Sequence, residues 1–188
     1  MAAVAALLTG LVVAACGSAN APVTTGTYTG EGGVGAPYLE VGSLVYEVQI
    51  SRALNPYSAE DSAYLEGVPA SERELKPGEE WFGVFIKVWN ETKSPHPDVG
   101  DITVSDTEGN VYHPITTEST NLYEYRPGVV EPKGEVPQPG STAYYGPTGG
   151  ALLLYKIKLE SLNNRPLEIN IPSPTDPQKV VAKAELDV

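Results

Sequence analysis

Glycine and proline set the terms for this chain: 19 Gly and 17 Pro among 188 residues cut it into short runs. Both residues disfavour a helix interior, Gly through backbone entropy and Pro through its missing N–H and its ring. Strands and turns are therefore the expected material, and the apolar pattern between the breakers agrees. In residues 44–50, Leu44, Tyr46, Val48 and Ile50 fall on one face and Glu47 and Gln49 on the other, the alternation of a half-buried strand. Residues 81–89 are apolar on nearly both faces, as a central strand should be. Residues 102–105 and 111–115 flank Asp106-Thr107-Glu108-Gly109-Asn110, whose Gly-Asn supplies the positive φ of a tight hairpin. Further strands are expected at 151–159, 167–171 and 180–186.

Two interruptions stand out. Asn55-Pro56 opens a turn, and Ser58 can cap a short helix through Leu65. Residues 123–150 are crowded with Pro and Gly and read as a long irregular loop. The total is about seven short strands with no βαβ spacing. The expected fold class is all-β: an immunoglobulin-like antiparallel β-sandwich with one short helix and a long Pro/Gly-rich loop.

The N-terminus predicts where such a domain works. Residues 1–15 carry no charge and hold a short apolar run, 4–13, that ends in small residues. This is the pattern of a signal-peptide h-region, and it falls short of the roughly 20 apolar residues needed to span a bilayer. Val13-Ala14-Ala15-Cys16-Gly17 resembles the bacterial lipobox, which implies diacylation of Cys16 and cleavage before it. Signals of that kind open with a basic segment, whereas no Lys or Arg precedes Arg52, a departure that a start other than Met1 would explain. Cys16 is the single cysteine, so no intramolecular disulfide is possible. The expected division is a lipoprotein signal peptide at 1–15, a lipidated cysteine with a flexible linker at 16–37, and the sandwich at 38–188. Export and anchoring at the outer face of the cytoplasmic membrane follow, since two acyl chains hold a protein where one barely does.

Several motifs support a resemblance. Glu79-Glu80-Trp81 running to Trp89-Asn90, then Asp106 to Asn110, then Pro139-Gly140-Ser141 ahead of residues 152–157, resemble an uncharacterised immunoglobulin-like sandwich domain of bacterial, especially actinobacterial, surface lipoproteins. The resemblance covers residues 40–188 and implies fold and location. That family has no established reaction to carry over, and the 123–150 loop and 55–65 helix mark a divergent member.

Charge and residue types then limit the chemistry. Against 24 Asp and Glu stand 12 Lys and Arg, a net charge of −12, which repels nucleic acid. Copper handling is disfavoured because thioether and thiolate donors are missing from the mature chain: the single Met is the initiator and the single Cys is the anchor. A metal site at His96 and His113 would need two separate segments to converge with a carboxylate. Asp98, Asp101, Asp106 and Glu108 offer oxygen ligands for calcium, without an EF-hand loop. Neither a G-x-S-x-G elbow nor an S-x-x-K motif is present for nucleophilic catalysis. Asn90-Glu91-Thr92 matches the glycosylation sequon, but this Asn is better read as ending a strand.

What remains is aromatic. Of 11 Tyr, Tyr57, Tyr64, Tyr123, Tyr125, Tyr144 and Tyr145 fall in predicted loops or the short helix, with Arg126 nearby. Tyr123, Tyr125, Arg126, Tyr144 and Tyr145 are the candidate binding residues, because loop tyrosines give large contact area at little entropic cost. The expectation is a non-enzymatic, membrane-tethered domain without a cofactor, partnered by an extracytoplasmic protein or the cell wall. The alternatives are an envelope enzyme acting on polysaccharide through carboxylates and a calcium-dependent adhesion or stability module.

Overall fold

The computed structural model describes residues 23–27 and 38–188; Cys16, the predicted signal peptide and the rest of the 16–37 segment lie outside the described residues. The strands are β1 (Val23–Thr27), β2 (Leu39–Val41), β3 (Leu44–Leu54), β4 (Glu79–Trp89), β5 (His96–Pro97), β6 (Thr103–Ser105), β7 (Val111–Tyr112), β8 (Val129–Val130), β9 (Glu135–Val136), β10 (Ala151–Lys158), β11 (Leu167–Pro172) and β12 (Val180–Leu186). Helix α1 is Ala59–Tyr64 and α2 is Thr142–Tyr145.

These strands form an all-β sandwich. One sheet runs β1-β12-β11-β6-β7, the other β10-β4-β3-β2 with β9 on the end of β4, and β5 and β8 make a separate small ribbon. The seven expected strands are β3, β4, β6, β7, β10, β11 and β12. Their connectivity sends the chain from β3 and β4 across to β6, back to β10 beside β4, and across again to β11 and β12. With β3, β4, β6, β10, β11 and β12 lettered A, B, C, E, F and G as in an antibody domain, this is the A-B-E sheet facing C-F-G.

Three expectations need correction. Residues 23–27, within the segment read as linker, form β1 and pair in parallel with β12; a β-branched-rich stretch suits that position. The 123–150 loop contains a second short helix, α2, whose cap Ser141 accepts a hydrogen bond from Tyr144 N–H at 3.2 Å. Finally, Ile50 does not share the face of Leu44, Tyr46 and Val48. The pairing of β3 with β4 shifts between Val48 and Ile50, and a one-residue bulge sends every later side chain to the opposite face.

That bulge turns Ile50 and Leu54 of β3 toward a second core. Between the sheets lie Tyr46, Phe82, Val84, Ile86, Tyr155, Ile169 and their neighbours. On the outer face of the β10-β4-β3 sheet, Leu54, Trp81, Phe85, Leu152 and Leu154 pack under Tyr64 and Val68, with Ile50, Ile115 and Tyr123 at the margin. Gly83 sits at the middle of this outer layer: a Cβ there would lie 3.1 Å from Leu152, Leu54 and Phe85 side-chain atoms. A side chain at this mid-strand position would have to push those neighbours aside. The outer core covers the end of the sheet around Leu54, Trp81 and Phe85, and the end around Val45 and Trp89 bears the candidate site.

Candidate functional site

Residues facing one another across antiparallel strands share a face. Glu40 on β2 faces Val45 on β3, Val45 faces Trp89 on β4, and Trp89 faces Glu135 on β9. A single row thus runs across four strands. Val88 is fully buried between the sheets, so Trp89 points outward, and Leu39, buried, leaves Tyr38 and Glu40 outward in the same way. The rings of Tyr38 and Trp89 stand 6.2 Å apart with their planes at 62°. They form a corner at one end of a groove of about 660 Å³ lined by Tyr38, Glu40, Val45, Trp89 and Glu91. Its size suits a small ligand or a segment of a polymer.

The groove is held from behind. Trp89 Nε1 donates to Glu135 Oε2 at 3.1 Å, which fixes the indole. Asn90, 1% exposed, ends β4: its Nδ2 donates to the Ser94 and Val130 carbonyls, and its Oδ1 accepts from the Thr92 N–H and hydroxyl. The sequon asparagine is fully used as a loop organiser and positions Glu91 at the rim. Lys133 Nζ donates to the Glu91 carbonyl. One row along the sheet, Glu47 faces Lys87. Burial raises the Glu47 pKa, opposed by the Gln49 hydrogen bond and the Lys87 charge.

The predicted tyrosine surface does not assemble. Tyr125 is 4% exposed and its hydroxyl donates to the Val99 carbonyl at 2.8 Å, so it belongs to the main core. Tyr123 packs edge-on against buried Tyr64, with centroids 4.7 Å apart, sealing the outer core. Arg126 pairs with Glu124 and donates to the Glu118 carbonyl. Tyr144 lies under Lys87 Nζ at 5.4 Å and against Tyr145, which is exposed, as is Tyr57. These rings mostly close the long loops onto the sheet. Tyr38 and Trp89 were legible only through parity: Lys87 among apolar residues marks the outward face of β4 as wet at that end, and Trp89 shares its parity.

The carboxylates proposed for calcium do separate work. Asp98 accepts from Gly128 N–H at 2.5 Å, and burial raises its pKa. Asp101 meets His113 on the surface, Glu108 is exposed, and His96 lies in the small ribbon opposite Val130. Asp106 closes the β6–β7 hairpin, accepting from Ser161 Oγ at 2.6 Å, from Asn110 Nδ2 at 2.7 Å, and from the Glu108 and Asn110 N–H groups. Gly109 supplies the positive φ, 86°. Among the described residues, no group of three or more His, Cys, Asp or Glu is placed to hold a metal ion.

For Asp106, burial pushes the pKa up, but the bonds from Ser161 and Asn110 win and hold it at about 2. A folded pKa below the unfolded one gives stability that is full above the unfolded value of about 3.9 and lost as pH falls through about 2. Urea unfolding at stepped pH is expected to show that acid limb, with its Asp106 share missing in Asp106→Asn. An unchanged limb in the variant would remove Asp106 as its source.

No family model matches the sequence, and no curated protein matches it. Among solved structures, the chain is similar to a presumed lipoprotein, YcdA, of Bacillus subtilis subsp. subtilis str. 168, at 9% sequence identity and a TM-score of 0.45; the match covers 81% of this chain and 38% of that one. The chain therefore spans well under half the length of that protein.

Proposed function

We propose that this chain is a lipid-anchored extracytoplasmic protein, held at the outer face of the membrane through Cys16, and that it binds a component of the cell envelope without transforming it. The groove at Trp89 carries the reading. It is a place where aromatic rings, a sheet-built floor and carboxylates converge on open space, whereas Tyr125 is buried in the main core and Tyr123 packs against Tyr64. A floor built on the paired strands β2, β3 and β4 suits recognition, because little order is lost when a ligand docks on preformed side chains.

Retention on washed envelope fragments tests the binding half. In the Cys16→Ser form, which lacks the anchor, the chain is expected to sediment with the fragments, adding Trp89→Ala to lose about tenfold or more in retention, and adding Tyr57→Ala, which alters a ring 95% exposed elsewhere, to change nothing. Equal retention of all three chains would overturn the groove as the binding site.

A further inference from the structure

We propose that the groove's occupant is an alkylammonium group carried on an envelope polymer, an inference that rests on the binding role proposed for the groove and specifies its ligand. Three observations converge on a cation. The lining brings two carboxylates, Glu40 and Glu91, and no Lys or Arg. Two aromatic rings, Tyr38 and Trp89, stand edge to face at its corner with their planes at 62°, and an aromatic face left open to the groove attracts an ammonium group through its negative potential. The third is electronic. Trp89 Nε1–H donates to the Glu135 carboxylate, and a hydrogen bond to an anion pushes electron density into the indole, deepening the negative potential over its face.

Two cations stand nearby, each with a partner of its own. Lys133 lines the adjoining cleft with Trp89, Asn90, Glu91 and Gly134, with its ammonium on the Glu91 carbonyl. Lys87 reaches over Tyr144. A neutral sugar could stack on Trp89 and donate hydroxyls to the carboxylates, but it would gain no attraction of opposite charge. An anionic polymer would be repelled by them, and by the chain's net charge of −12.

The test uses the full chain in its Cys16→Ser form, labelled with ¹⁵N, and reads its two tryptophan indole N–H resonances. Buried Trp81 serves as the internal reference. Choline is titrated against its neutral isostere, 3,3-dimethyl-1-butanol, and against a neutral glucan hexasaccharide. Choline is expected to shift the Trp89 resonance with about tenfold higher affinity than the isostere, to bind more weakly at high salt, and to release the chain from envelope fragments. Glu135→Gln is expected to weaken choline a few-fold and leave the isostere unchanged. Equal affinity for choline and the isostere, or a shift with the hexasaccharide alone, would overturn the ammonium assignment and leave the groove as a binding site. No shift with any probe, together with retention that ignores Trp89→Ala, would overturn both.

Discussion

Phe85→Ala is expected to lower the unfolding free energy by about 3–5 kcal/mol, the range for emptying an aromatic site in a well-packed core. Phe85 is fully buried although it lies on the outer face of its sheet. It faces Ile50 on β3 and Leu152 on β10. The Tyr64 ring meets it edge-on at 4.9 Å, and Gly83 admits its ring edge. Truncation opens a void that strands on both sides hold apart, so collapse can recover little. For a domain whose whole stability is typically 5–15 kcal/mol, that is a large share. Residues 55–75, which cover this layer, should also become the first site of protease cleavage. Chemical unfolding and limited proteolysis check both points, and a loss under about 1 kcal/mol would mean that the outer face carries no true core.

After an alkaline wash, which strips groove-held protein, Cys16→Ser is expected to leave the membrane fraction almost completely. The thiol is the group that lipidation requires, and serine's hydroxyl is not a substitute under the same chemistry. Two acyl chains contribute about 0.8 kcal/mol per buried CH₂, enough for stable anchoring. Among the described residues, no helix is long and apolar enough to cross a membrane, and an acidic surface gives no electrostatic hold on anionic lipid. Fractionation with an alkaline wash is the measurement. A serine variant that stays with the washed membranes would contradict the anchoring proposal.

The framework of the fold was readable because each strand announces itself locally. Residues 167–171 alternate, residues 81–89 are apolar on both sides, and Gly109 permits its hairpin, and β11, β4 and the β6–β7 turn follow. The bulge after Val48 was not readable, because a register shift is a relation between strands and leaves no trace in one strand's alternation. From it follow the misplacement of Ile50 and the contribution of β3 to the outer core, whose other strand residues lie on β4 and β10. The tyrosines misled for a related reason. A loop position does not say whether the loop lies down on the sheet, and Tyr123 and Tyr125 sit on segments that do. The groove required knowing that β2, β3, β4 and β9 align Glu40, Val45, Trp89 and Glu135, residues spread over nearly 100 positions.

Hydroxyl-radical footprinting on intact cells addresses the central proposal most directly, because the protein supplies its own controls. Tyr38 is 65% exposed at the groove, while Tyr57 and Tyr145 are 95% and 76% exposed away from it. If the groove is occupied in the envelope, Tyr38 and Trp89 will be protected several-fold in cells relative to the purified chain, and Tyr57 and Tyr145 will be labelled alike in both. Equal labelling of Tyr38 and Trp89 in the two settings would contradict the account.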